Sequence, residues 1–391
     1  MDTHKDNAKW LAYFAPFRML SISAAYLTPF FLMNGLRMSQ VFLLQSVFSV
    51  AYLLWEIPSG FVADKIGRAR SIKLSVPIAA IAMIGYGLSH SFWQFAAWEV
   101  VLAIANGFIS GADTALLMDS LIADGREEEF AKRSQRINAF GFLGTAAAVP
   151  LAFLLVHFVS VASTLVADGV LVLIGAPFAW KLVEAPYHGL NEEAERVRVW
   201  QAAAAMAKNV EARWLVALTV ALSSATYFAF WLTAPYYSKL GIPAVWFGTI
   251  LAVRSLWKAW LSHTFVLRKH LERAVSAFAL IGLVVYLAMA SGQLWLVWAV
   301  LGHDLIQSLQ SEPISGVLNQ HIAARYRATM NSAVNVVQRL TFAAGGPIIG
   351  FIVDTAGLRA GLTVTGCVCG AFGLIAVTRL RFLKTLQPAR R

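Results

Sequence analysis

Charge is what this sequence has least of. Asp, Glu, Lys and Arg make up 14% of its 391 residues, against about a quarter in soluble proteins. That leaves too little polar surface for the two or three water-soluble domains such a length would form. Acid is scarcer than base, with 21 Asp and Glu against 32 Lys and Arg and a net charge of +11. Cysteine is nearly absent. Cys367 and Cys369 lie two positions apart in one apolar run, where a helix turns them to different faces, so neither a disulfide nor a metal site is expected. The eight His are dispersed, and neither His-Glu-x-x-His nor Gly-x-Ser-x-Gly occurs, which argues against an intramembrane enzyme. The Gly-x-x-x-x-Gly-Lys-Ser/Thr loop of a nucleotide-driven pump is missing as well. No enzyme activity, cofactor or metal is expected.

What is present is apolar length. Hydrophobic residues account for 58% of the chain, in runs of the roughly 20 residues that cross a bilayer as a helix. Breaking at charge clusters and turn residues predicts twelve spans, near 11–35, 40–62, 72–90, 93–117, 136–158, 161–181, 214–237, 245–265, 274–291, 294–317, 329–352 and 360–379. The first is too long for a signal peptide's apolar region and lacks an Ala-x-Ala cleavage site, so it reads as a retained span.

The basic residues then sort by side. With the N-terminus cytoplasmic, only Arg37, Lys239 and Arg359 fall on the outer side and Arg18, Arg254, Lys258 and Arg339 within spans, leaving 25 of the 32 in cytoplasmic segments. This bias is the positive-inside rule, and it accounts for the basicity without nucleic acid, whose binders cluster Lys and Arg on one face. Both termini are predicted to be cytoplasmic.

The longest connection, "HGLNEEAERVRVWQAAAAMAKNVEAR" (188–213), is charged and Ala-rich. It reads as an amphipathic cytoplasmic helix in a linker, 183–213, between six-helix halves 1–182 and 214–391. The halves echo each other. "YLTPFF" (26–31) resembles "WLTAPYY" (231–237), and spans four and ten align Trp98 with Trp298 and Asp119 with Asn319. Such duplication is the layout of transporters that alternate access to a midplane site.

Between spans two and three lies "GFVADKIGRARS", with Gly60, Asp64, Lys65, Gly67, Arg68 and Arg70 in a fixed pattern. It resembles the signature loop of the major facilitator superfamily, and "WEIPSG" (55–60) and "GADTALLMDSL" (111–121) are similar to segments of that superfamily's bacterial members. The resemblance implies an all-α integral membrane fold of twelve helices in two pseudo-symmetric bundles, in a bacterial-type inner membrane. It also implies a cytoplasmic gate made by Gly60, Asp64, Gly67, Arg68 and Asp119. Asp64 would meet the start of span eleven near Arg327, and Arg68 would reach Asp119 at the end of span four, locking the halves together when the protein faces outward. Two departures count against drug–proton antiport as the superfamily practises it. Ala103 stands where an Arg four residues before Gly107 is usual, and 141–155 lacks a Gly-Pro pair.

Charges inside spans are costly and mark cavities or partners. Arg254 and Lys258 share a helix face; span ten carries His303, Asp304, Gln307, Gln310 and Glu312, and span eleven Asn331, Asn335, Gln338 and Arg339. At 1.5 Å per residue, Arg254, Asp304 and Arg339 fall about 13–15 Å deep, near the midplane. From the first half come Arg18, Glu99 and Asn138, with Glu99 nearer the outer surface and open to hydration. Asp113 and Asp168 read as structural or gating. The expected substrate contacts are Arg18, Arg254, Lys258, Gln307, Asn335 and Arg339, and the expected proton carriers Glu99, His303 and Asp304. A competing reading has Arg254 or Arg339 paired permanently with Asp304. No discontinuous-helix pattern of a sodium site is evident, which favours protons. The chain is thus expected to be a proton-coupled secondary transporter acting as a monomer on a small organic solute, anionic or amphipathic. Export is slightly favoured over uptake of an organic anion by symport or uniport, and a non-transporting sensor is the remote alternative.

Overall fold

A computed structural model of the chain describes residues 3–19, 21–186, 208–264, 271–310, 314, 317 and 327–383. The expected linker helix, Glu312 and Asn319 lie outside the described residues, as do the side chains of Asp64, Arg327 and Asn331. The described residues include helices and no strand. Eight stretches among them are long and apolar enough to cross a membrane. One of these, Val334–Arg381, has 48 residues and so suffices for two crossings; the helix that contains it breaks at Gly357, φ 83°.

The chain divides into two compact units, Met1–His188 with Ile242–Ala259, and Gly189–Gly241 with Trp260–Arg391. In the first, α1 (Asn7–Arg18) and α2 (Leu27–Met33) precede the long α3 (Met38–Ile66) and α4 (Arg68–Gly87). Next come α5 (Phe92–Ile109), α6 (Ala112–Ala123), α7 (Phe130–Ala147), α8 (Val149–Phe158), α9 (Ala162–Ile174) and α10 (Ala176–Trp180). Local chemistry sets several boundaries. Ser91 and Gln94 form a capping box at the start of α5, and Gly111 at φ 75° separates α5 from α6. The core of this unit gathers Leu11, Phe14, Ile72, Val76, Leu116 and Leu121.

Span one is not the single helix its run of apolar residues suggests. With Pro16 in the last turn of α1, the chain leaves the helix after Arg18, makes a short 3-10 turn over Ile22–Ala25 and resumes at α2. The apolar run of span one gave no sign of this break. Opening a helix inside a membrane frees backbone groups that must find partners within the protein. Asp168 on α9 supplies them, its Oδ1 and Oδ2 accepting the Ile22 and Ser23 N–H groups, both at 3.0 Å. At 2% exposure it is a cap brought from 145 residues away.

Between lipid-embedded helices the hydrophobic effect is weak, and close approach through small residues replaces it. Gly144 of α7 is such a contact: a Cβ there would lie 2.6 Å from Pro16 Cβ and 2.7 Å from its Cα.

Helix α11 (Val210–Lys239) opens the second unit, capped by Asn209, whose Oδ1 accepts from Glu211 and Ala212 N–H at 2.9 and 3.1 Å. Helix α12 (Phe247–Thr264) begins within the segment grouped with the first unit. There the Gly248 N–H donates to Tyr26 Oη at 3.0 Å and Phe247 stacks on the Tyr26 ring. The second unit continues with α13 (Leu271–Ser291), a 3-10 stretch over Leu294–Val300, α14 (Leu301–Leu309) and the bent α15 (Arg327–Phe382). Leu215, Leu218, Phe278, Ile306, Val334 and Leu380 form its core.

Candidate functional site

The signature loop is shorter than its sequence suggests. Helix α3 runs through Ile66, including Gly60 and the backbone of Asp64, and α4 starts at Arg68. The turn is therefore Gly67 alone, at φ 104° and ψ 148°, a conformation open to a residue without Cβ. At Gly60 a Cβ would meet nothing within 4 Å, so that position is not a close helix contact. Arg68 forms an ion pair with Asp119 of α6, so these two of the expected gate residues come together. The side chain of Asp64 lies outside the described residues.

Sequence reasoning missed the carboxylate beside them. Glu184 accepts the Ala69 N–H on Oε2 at 3.1 Å and the Arg70 N–H on Oε1 at 3.0 Å. It thereby satisfies the free donors at the first turn of α4, where the helix dipole favours an anion. A Cβ on Gly67 would lie 2.3 Å from Glu184 Oε1. The neighbouring Val183 is held by Asn7, whose Oδ1 accepts the Val183 N–H at 2.9 Å. Asn7 Nδ2 donates to Val183 O at 2.7 Å and to Ser120 Oγ at 2.9 Å. One signal was legible: Glu184 is an acid directly after an apolar run, in a segment otherwise marked by base.

Next to the break in span one, Arg18 Nη1 lies 2.9 Å from Asp113 Oδ2 at the first turn of α6. The pair lines a small cavity of about 40 Å³ together with Thr114, Ser134 and Asn138 and an apolar wall from α1, α6 and α7. It is large enough for water or one polar group of a solute. Arg18, expected as a substrate contact, is thus half of an ion pair, and Asp113, read as structural or gating, is its partner.

Glu99 is 3% exposed, which corrects the expectation of a hydrated outer position. Its Oε1 accepts from Gln45 Nε2 at 2.5 Å and from Tyr86 Oη at 2.7 Å. Both partners are neutral. Phe95, one turn earlier on α5, stacks on Tyr86 at 5.5 Å between ring centroids and meets Phe31 edge-on at 5.2 Å. The carboxylate therefore sits in a polar knot closed by aromatic rings. The period of α5 could have revealed this, since Phe95, Glu99 and Ala103 share one buried face.

The remaining expected residues are spread over both units. Lys258 lies over the Phe142 ring at 5.6 Å to its centroid, a cation–π contact, and Arg254 is half-buried. Both belong to the segment of α12 grouped with the first unit. His303 and Asp304 are buried on α14, the His ring edge-on to Tyr286 at 4.6 Å. Arg339 is half-buried, whereas Gln307 and Asn335 are exposed.

A family model described as Major Facilitator Superfamily matches residues 10–345. Among solved structures, the nucleoside transporter NupG aligns with a TM-score of 0.73 at 13% identity, covering 99% of this chain and 100% of its own. A bacterial homologue of the human lysosomal transporter Spinster, inward-facing and unoccupied, gives 0.74 at 16% identity with full coverage of both chains. The human organic anion transporter MFSD10 gives 0.63 at 15% identity, covering 96% of this chain and 100% of its own. At these identities the likeness is one of fold. No curated protein matches the chain significantly by sequence.

Proposed function

Starting from the chain's membership of the Major Facilitator Superfamily, as a multi-pass membrane transporter and not an enzyme, we propose that it is a proton-coupled secondary transporter of a small organic solute. In this reading it works by alternating access of its two halves from an inner membrane, with both termini cytoplasmic. The observation that carries the coupling is the buried Glu99. A carboxylate within a span is costly and recurs in proton relays, and here its hydrogen bonds come from a neutral amide and a neutral phenol. Both bonds end on Oε1, so Oε2 is the atom that takes up and releases the proton. Gln45 and Tyr86 hold the group in place through the cycle.

The solute's charged group is assigned to Arg18 and Asp113. A partly exposed pair of opposite charges beside a cavity can exchange its internal bond for bonds to a solute carboxylate or ammonium, while Asn138 and Ser134 offer neutral hydrogen bonds. Arg254, Lys258 and Arg339 remain candidates for further anion contacts. Arg68 and Asp119 form part of the gate that opens and closes with the cycle.

Purified protein in liposomes tests the coupling. Glu99→Gln is expected to abolish accumulation driven by a pH gradient while leaving solute exchange between equal concentrations intact. Gradient-driven accumulation at the wild-type level by that variant would refute the assignment. The sign of the lumenal pH change on adding solute separates export by antiport, the favoured direction, from uptake by symport; no change at all would indicate uniport.

A further inference from the structure

Three helices of the second unit bring neutral polar side chains together at one point. Gln338 of α15 donates from Nε2 to Ser223 Oγ of α11 at 2.8 Å, and Gln310, directly after α14, donates from Nε2 to the same oxygen at 3.4 Å. Both amide nitrogens are thereby directed at one hydroxyl. Gln310 is 6% exposed, yet its carbonyl Oε1 is buried and has no hydrogen-bond partner among the described residues. Ser224, the next residue of α11, also leaves a buried hydroxyl without one. Buried carbonyls are almost always satisfied, and leaving one unpaired is costly. The atom that completes Gln310 must bring a proton, because Oε1 can only accept. A carboxylate or phosphate would set oxygen lone pairs against it.

One helical turn further on, the same two helices change character. Tyr227 is four residues beyond Ser223 and Phe342 four beyond Gln338, so each shares the face of its polar partner. Phe342 packs against Phe228 at 5.1 Å and meets Tyr227 edge-on at 6.0 Å between centroids. Phe228 and Phe342 are buried while Tyr227 is 44% exposed, leaving part of an aromatic surface open beside the amides.

We propose that Gln310, positioned by Ser223 and Gln338, is a subsite for the N–H or O–H donor at an aromatic, uncharged end of the solute, whose ring lies on Tyr227. The proposal rests on the chain carrying an organic solute and adds the class: aromatic, donor-bearing and uncharged at this end.

Indole and 1-methylindole differ in the one proton at issue and have nearly the same ring. With purified wild-type protein in nanodiscs, tritiated indole is displaced by either unlabelled compound. Indole is expected to displace about tenfold more tightly, the worth of one hydrogen bond. Gln310→Leu should bring that ratio to about one, with Gln310→Met as the substitute if the Leu variant does not fold. Tyr227→Ala should weaken both compounds together and keep the ratio. No indole binding, equal displacement by the two compounds in wild type, or a ratio surviving in a folded Gln310 variant would each overturn the proposal. Binding is read at equilibrium, so an intact ratio with no solute flux in liposomes would remove the transport-coupling reading and leave the subsite standing.

Discussion

Asp168 offers the most direct test of how span one is held. Its two carboxylate oxygens each accept one backbone N–H at 3.0 Å, from Ile22 and Ser23, in a site 2% exposed to solvent. Asp168→Ala deletes both acceptors and leaves two buried backbone donors unpaired. At about 1.5 kcal/mol for each buried donor left unsatisfied, within the usual range of about 1–3, the loss is about 3 kcal/mol. Each kcal/mol lowers Tm by about 2–4 °C for a unit of 150–250 residues, so a fall of about 6–12 °C is expected. Asp168→Asn keeps one acceptor oxygen and turns an amide N–H₂ toward the other donor, so it should recover roughly half of the loss. Thermal unfolding in detergent, followed by near-ultraviolet circular dichroism, measures both variants against wild type. An Ala variant unfolding within about 2 °C of wild type would refute the reasoning, because it would mean the break in span one holds without its cap.

Other outcomes follow from the α3–α4 turn and its neighbours. Gly67→Ala must adopt a positive φ and push Glu184 Oε1 from 2.3 Å, and it is expected to cost about 2 kcal/mol in thermal or denaturant unfolding. In a Glu184→Ala background the clash is gone and only the backbone strain remains, so the same substitution should cost about half as much; equal costs in both backgrounds would remove the close contact. Arg68→Ala should slow solute flux in liposomes by leaving Asp119 half-buried and unpaired by that residue. The exchanged pair, Arg68→Asp with Asp119→Arg, should recover part of the rate, and no recovery would show that the pair acts through something other than its mutual attraction.

Architecture was legible from the sequence to a large degree, and the site only in pieces. Apolar runs depend on composition over about 20 residues, which a linear reading captures. Helix is found in every expected span, although not always as one rod. The pairing of Arg68 with Asp119 was legible only because the signature loop resembles that of a known superfamily. The break in span one was not, since Pro16 is tolerated in many helices and Ser21–Ser23 carry no strong breaker. The decisive partner, Asp168, is remote in sequence. Glu184 escaped notice for a related reason: its acid was visible after an apolar run, but the helix start it caps lies more than a hundred residues away.

By itself, then, the sequence determined the solvent this chain folds in, its helical class and the superfamily its turn resembles, because each follows from local composition and spacing. Beyond the pair of Arg68 and Asp119, tertiary structure decided which polar groups meet. It bonded Glu99 to Gln45 and Tyr86, joined Arg18 to Asp113, and turned two glutamines toward one serine. The physical reason lies in the interior of a membrane protein, where every polar group must find a partner. Which partner it finds depends on helix faces brought together across a hundred residues or more, and those choices are made by packing.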